Sequence, residues 1–211
     1  MATVKAVSSG ASIGRAIDYV KNKEKTEEKL LDGFDCSPEM VKEEMQATKE
    51  LWGKTDGRTY MHFVQSWHED EPITNATAHQ IGMKLAQALR AEGKPWNGFE
   101  VLVATHTDRA HTHNHLIVNS VNAENGKKLQ FSPQDLAAMK EISDQLCLKH
   151  GLSICKKGKS FHGEDLTMEQ PSTYTKEAHY IMEQAAAGNI DSYIKEIAKA
   201  VTEVKSTAIS R

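Results

Sequence analysis

Four of the chain's 10 histidines fall in one short stretch, His106-Thr107-Asp108-Arg109-Ala110-His111-Thr112-His113-Asn114-His115. Side chains alternate faces along a strand, so His111, His113, His115, Ile117 and Asn119 would share one face while Thr112, Asn114, Leu116 and Val118 take the other. Apolar Leu116 and Val118 mark that second face as the one turned to a core, which argues against a merely solvated histidine-rich strand. A turn at 107–110 would pair His106 with His111, Ala104 with His113 and Leu102 with His115, all on the histidine face, with small Ala104 leaving room for an ion. A turn one residue longer would send His106 to the opposite face. Neutral imidazoles suit borderline divalent ions, and three of them leave coordination positions for water or a substrate oxygen, the pattern of a catalytic site rather than a closed structural one. Spacing alone leaves open which three of the four bind.

The elements that must position this stretch can be read around it. Strand-like runs at 99–105 and 111–121 form the strongest hairpin, and others stand at 2–7 and 60–67. A first helix follows Ser8-Ser9-Gly10 and carries Ala16, Tyr19 and Val20 at helical spacing. A second is expected to start at Ser37-Pro38 and stop at Gly53, a third to run over about 74–91, and a fourth to start at Ser132-Pro133, with Asp135 completing the cap, and stop at Gly151. Beyond it lie a basic loop, Lys156-Lys157-Gly158-Lys159, and two polar helices after Pro171. Alternating helices and strands place the chain in the α/β or α+β class.

Composition narrows the function. The 26 Lys and Arg against 29 Asp and Glu give a net charge of -3, which excludes a generic nucleic-acid-coating protein. Cys36, Cys147 and Cys155 have no CxxC spacing, so neither a disulfide framework nor a zinc knuckle is indicated. No apolar run approaches the roughly 18 residues of a membrane span, and no signal core follows Met1, so a soluble, cytoplasmic protein without membrane partners is expected. HExxH, the P-loop, GxSxG and the zinc deaminase pair are all missing.

The histidine stretch, read on through Leu116-Ile117-Val118-Asn119, resembles the metal motif of the conjugative relaxases, mobilisation nucleases of plasmids and integrative conjugative elements in the His-hydrophobic-His endonuclease superfamily. Two more features of that family occur in the expected order: Ala16-Ile17-Asp18-Tyr19-Val20 with Asn22 and Lys25-Thr26, and Gln65-Ser66-Trp67 with Glu71. The resemblance covers about 1–155. Two positions depart from it: Asn114 stands where the superfamily name implies an apolar residue, and Ala110 where many relatives carry Asp.

The resemblance implies an α+β sandwich, a central antiparallel sheet with helices packed on its faces. The relaxase nuclease domain would occupy 1–155, and a basic loop and helical extension 156–211. It implies strand-specific nicking at a transfer origin, with Tyr19 as nucleophile and a 5′-phosphotyrosine intermediate. A divalent ion, Mg²⁺ or Mn²⁺, would be held by His106, His113 and His115. His111 would move a proton or substitute as ligand, and Asp108 and Asn119 would stand behind the ligands. A phenol with a pKa near ~10 needs such help as a nucleophile.

Ser66, Lys21, Lys23, Lys25, Lys127 and Lys128 would contact single-stranded or hairpin origin DNA, and an accessory relaxosome protein and a coupling protein would be partners. Tyr60 is the rival nucleophile. Trp67, Trp96 and Phe161 are candidates for base stacking, although core packing is the commoner role. Asp70 and Glu71 read more simply as the start of a helix. The alternatives are a rolling-circle replication initiator, a metal-dependent phosphodiesterase in which water attacks, and a DNA-binding protein without catalysis.

Overall fold

Runs of alternating and β-branched residues become strands at Thr3–Val7 (β1), Leu31–Phe34 (β2), Tyr60–Ser66 (β3), Val101–His106 (β4) and His113–Asn119 (β5). In the computed structural model, residues 2–7, 12–156 and 159–164 are described. The five strands form one antiparallel sheet in the order β1-β3-β5-β4-β2, which puts the histidine hairpin at its centre. Among them β2 has no counterpart in the sequence reading. It is four residues long and interrupted by Gly33, so its periodicity is too short to register.

Helices Ile13–Val20 (α1), Val41–Leu51 (α2), Asn75–Arg90 (α3) and Pro133–Lys149 (α4) cover the sheet. Hydroxyl caps open three of them: Ser12 accepts from the Arg15 amide, Thr74 from that of Thr77, and Ser132 closes a reciprocal box with Asp135. Helix α2 starts at Val41 rather than at Pro38. The Met40 amide turns back onto the Ser37 carbonyl and hydroxyl, and the Glu44 carboxylate takes the Ser37 amide at 2.7 Å, so Ser37 to Met40 close a turn before the helix.

Pleating divides the sheet into two faces. Phe63, Val101, Val103, Leu116 and Val118 pack with Leu85, Leu89 and Met139 under α3 and α4. On the other face Tyr60, Leu102, Ala104 and Ile117 pack against Ile17 and Val20 of α1 and Val41 and Met45 of α2. The expected side of the hairpin turned from the histidines, with Phe99 included, is the first of these cores.

The hairpin register differs from the expected one. His106 pairs with His113, Ala104 with His115 and Leu102 with Ile117, so the connection is 107–112 and His111 lies in the loop. The loop ends are bonded elsewhere: the Thr107 amide donates to the Lys25 carbonyl at 2.8 Å, and the Thr112 carbonyl accepts from the Trp67 amide at 3.2 Å. A slip of two residues preserves the face, which is why the histidines still converge.

Beneath the hairpin a buried polar chain accounts for Asn114. Its amide donates to the Gln65 side chain at 3.0 Å and the Ala78 carbonyl at 2.8 Å, and its oxygen accepts from Thr105 at 2.7 Å. His79 continues the chain, 2.8 Å from Thr105 and 2.9 Å from Asp32, and Gln65 donates to Ser143 at 2.7 Å. The chain passes directly over Gly82, where a Cβ would lie 2.4 Å from the Asn114 amide nitrogen. Gly82→Ala is therefore expected to lower stability by about 1–3 kcal/mol through overpacking, against the about 1 kcal/mol that alanine brings to a helix. A raised melting temperature in thermal denaturation would refute this.

Met1–Glu164 form one compact unit. Ile154 bridges Ala2, and the Phe161 ring stacks on His68 at 4.1 Å, drawing the segment 159–164 into the fold. The helices expected after Pro171 lie outside the described residues, as does Lys157.

Candidate active site

Helix α1 buries Ala16, Ile17 and Val20 and leaves Tyr19 42% exposed, because 3.6-residue periodicity turns its ring away from the apolar stripe. The phenol ring stands over the histidines, with centroids 5.6 Å from His106 and 5.7 Å from His115. The neighbouring Val20 carbonyl lies 3.0 Å from His106 Nε2, so one helix end both presents the tyrosine and orients an imidazole. The loop after α1 is fastened to the hairpin: Thr26 donates to the Thr105 carbonyl at 2.6 Å, and Lys25 bonds Asp108 at 2.8 Å with its ammonium 5.2 Å from the Tyr19 centroid. The hydrogen bond to Asp108 raises the Lys25 pKa above its ordinary value, keeping that charge in place.

His106, His113 and His115 are buried, and each offers a ring nitrogen within 4.8 Å of the others. In each ring the other nitrogen has a partner: the Val20 carbonyl for His106 Nε2, the His111 carbonyl at 3.3 Å for His113 Nδ1, and His62 Nε2 at 2.8 Å for His115 Nδ1. Among the described residues, His106 Nδ1 and His115 Nε2 are buried without any hydrogen-bond partner. Two orphaned ring nitrogens converging at one point are costly in a folded protein unless something binds them, and a divalent cation fits that donor set. Burial lowers the pKa of all three rings, that of His115 to about 2, so their lone pairs are free at neutral pH.

The remaining candidates fall on both sides of expectation. Ser66 pairs across the sheet with His113 and lies 3.1 Å from the Thr3 hydroxyl, on a cavity of about 300 Å³ also lined by Trp67, His68 and His111. Lys21 and Lys23 border a second cavity beside α1, of about 510 Å³, where they face Glu27, Glu28 and Glu39.

Asp108 does not orient His106 from behind, because Val20 holds that nitrogen. Its Oδ1 lies 4.0 Å from Nδ1, on the ligand side of the ring. Asn119 lies four residues along β5 from His115, roughly 13 Å at a strand's rise, where its amide bonds the Met45 carbonyl and Glu100 and clamps α2 to the sheet. Lys127 and Lys128 follow that far end of β5, and the Lys128 ammonium is bound by the carbonyls of Lys54, Asp56 and Arg58. Trp67 and Trp96 are buried and offer no face for a base. Glu71 is also buried and accepts from Ser153 rather than opening α3.

His62, whose Nε2 lies 2.8 Å from His115 Nδ1, is a residue of the site that sequence reasoning misses. It sits on β3 in the same face as Ser66, its pKa lowered by burial to about 4. The alternation His62, Val64, Ser66 carries the signal, but only the pairing of β3 with β5 gives it meaning.

The antiparallel sheet thus carries a buried three-histidine cluster beside an exposed tyrosine. The relaxase family described as MobA/VirD2-like, nuclease domain, matches residues 19–152, a span that begins at Tyr19 and encloses the hairpin. The chain belongs to this relaxase family.

Among its relatives, one Staphylococcus aureus "Protein rlx" is 35% identical over 154 residues, 73% of this chain and 43% of that protein. Another is 31% identical over 210 residues, which is 57% of its length. The chain thus spans about half the length of these relatives. The group II intron-interrupted relaxase LtrB of Lactococcus lactis is 29% identical over 109 residues, 46% of this chain and 18% of that protein. Among solved structures, the MobM relaxase domain, in a manganese-bound complex with pMV158 oriT DNA, shares the fold with a TM-score of 0.50 at 15% identity, over 85% of this chain and 97% of that one. No helix among the described residues is long and apolar enough to cross a membrane.

Proposed function

We propose that this chain nicks one DNA strand at a transfer origin by transesterification, with Tyr19 as nucleophile, as the nuclease part of a mobilisation relaxase. The observation that carries this reading is the placement of an exposed phenol over two buried imidazoles whose free nitrogens point into one site. Its support in kinship is membership of the relaxase family, and a relative of the same fold binds origin DNA with manganese.

His106, His113 and His115 would hold the divalent ion, Mg²⁺ or Mn²⁺, which when bound neutralises phosphate charge and orients the scissile group. Tyr19 Oη attacks the phosphorus, the P–O3′ bond breaks, and the phenolic proton ends on the released 3′-hydroxyl. A 5′-phosphotyrosine keeps the ester bond, so the reverse reaction can rejoin the strand. His111, on the loop with its ring 5.3 Å from that of His113, would pass that proton or substitute as a ligand. Ser66, which pairs with His113, and Lys25, beside Tyr19, would take the DNA backbone together with Lys21 and Lys23 on the neighbouring cavity, while Lys127 and Lys128 lie at the far end of β5. An accessory relaxosome protein and a coupling protein would complete the assembly.

The direct test incubates the protein with labelled single-stranded origin DNA and Mg²⁺ or Mn²⁺, denatures it in SDS, and maps the modified peptide by mass spectrometry. A nucleotide adduct on Tyr19 is the expected result. Cleavage without an adduct, or an adduct on Tyr60, would refute the assignment.

A further inference from the structure

A second convergence of metal-binding side chains lies outside the hairpin. His68 and Asp70 sit on the loop after β3, and His162 comes from the segment 159–164 at the end of the compact unit. Their donor atoms all lie within 4.8 Å of one another. We infer that His68, Asp70 and His162 form a second metal site, of two imidazoles and one carboxylate, that takes a transition ion such as Zn²⁺ and fastens the turn at 159–164 to the loop after β3.

Three observations support the site. First, Asp70 Oδ2 lies 3.5 Å from His68 Nδ1 and 3.6 Å from His162 Nε2. Both separations exceed the range of an ordinary N–H···O hydrogen bond, roughly 2.7–3.2 Å. They match the edge of a tetrahedral coordination shell, about 3.4 Å for metal–ligand bonds of ~2.1 Å. The carboxylate is thus spaced from each imidazole as ligands of one ion are spaced.

Second, the Asp70 amide donates to His68 Nδ1 at 3.3 Å. That contact turns the Nδ1 edge of the His68 ring towards Asp70, and a bound ion would take the place of the amide proton there.

Third, both contributing segments are held independently of any ion. The Phe161 ring stacks on His68 at 4.1 Å with an interplanar angle of 1°. The turn that presents Phe161 and His162 is closed by the Ser160 amide on the Glu164 carbonyl at 2.9 Å and the Glu164 amide on the Ser160 hydroxyl at 3.2 Å. The ligands are therefore brought together before metal arrives.

The donor set predicts selectivity. Two imidazoles favour Zn²⁺, Co²⁺ or Ni²⁺ over Mg²⁺, which prefers oxygen ligands and retains its waters. The side chains are open to solvent, from 34% exposed at His68 to 62% at His162, so an ion would keep water in its remaining positions. His68 also lines the cavity shared with Ser66 and His111, so metal here would stiffen the wall beside the proposed nicking site.

The test counts bound ions by equilibrium dialysis with Zn²⁺ and follows Co²⁺ ligand-field absorption, using the full chain. To separate this site from the hairpin, it is run on the His106→Ala/His115→Ala chain. That chain should retain one equivalent of Zn²⁺, and adding His162→Ala or Asp70→Asn should remove it along with the Co²⁺ band. In the otherwise native chain, His162→Ala should lower the count from two to one and expose the segment 159–164 to faster proteolysis in Zn²⁺. Failure of the hairpin variant to bind Zn²⁺, or retention of its ion after both His162→Ala and Asp70→Asn, would overturn the proposal. Because these readouts need no DNA, loss of nicking would leave them unaffected.

Discussion

Tyr19→Phe is expected to abolish the covalent DNA adduct and to bring strand cleavage below detection, while leaving the fold intact. The substitution removes one oxygen, and with it the proposed nucleophile. The ring stays in place over His106 and His115, and an exposed position changes stability by no more than about 0.5 kcal/mol. Tyr60→Phe should do the reverse. The Tyr60 hydroxyl is buried with no hydrogen-bond partner among the described residues, in the core formed with Ile17, Met45 and Ile117, so it has no approach to DNA. Removing it relieves an unsatisfied polar group and should leave cleavage unchanged, with stability equal or higher by up to about 1 kcal/mol. Gel-resolved adduct formation and thermal denaturation of the two variants together decide between the tyrosines. Adduct lost in Tyr60→Phe and retained in Tyr19→Phe would reverse the assignment.

The second large effect belongs to the histidines, and here the expected sizes are graded. His115→Ala removes one of the three proposed ligand nitrogens and opens a cavity at the centre of the sheet, and nicking should fall by about a thousand-fold. That corresponds to losing roughly 4 kcal/mol of charge stabilisation at 1.36 kcal/mol per decade. His62→Ala leaves all three ligands in place but frees His115 Nδ1, so the ring loses the contact that sets its tautomer and orientation. A loss of roughly ten- to hundred-fold in metal affinity is expected, and excess Mn²⁺ should recover much of the rate. Metal titration of cleavage distinguishes the two: recovery by excess metal in His62→Ala and none in His115→Ala is the predicted pattern. If His62→Ala leaves metal affinity unchanged, His62 is packing and nothing more.

Several features of this site are legible in the order of residues along the chain. Alternation along a strand is local geometry, so it suffices to place His113 and His115 on one face and Leu116 and Val118 on the other. The hydroxyl cap at Ser132 is equally local and marks its helix correctly, whereas Ser37 closes a turn ahead of α2 instead of capping it. The turn length is not legible, because the bonds that lengthen it run to Lys25 and Trp67, far away in sequence. Only the parity of the slip keeps the expected face.

Charge is the weakest guide. Lys25 and Lys128 look alike in sequence, yet one is held beside Tyr19 by Asp108 while the other is used up by three carbonyls. Asn114 shows the same limit: as a departure from an apolar position it looks like a defect, and only the bonds to Gln65, Ala78 and Thr105 make it a buried junction.

From residues alone, then, come the candidate ligating imidazoles, their common face, and a resemblance that joins them to Tyr19. Tertiary structure decides which nitrogens are free, that His62 stands behind His115 across 53 residues of chain, and that the tyrosine meets the histidines at all. The division has one physical cause. Periodicity is set by the geometry of neighbouring residues, whereas the strand that pairs with β5 and the helix end that meets His106 are chosen by burial and bonding between distant segments.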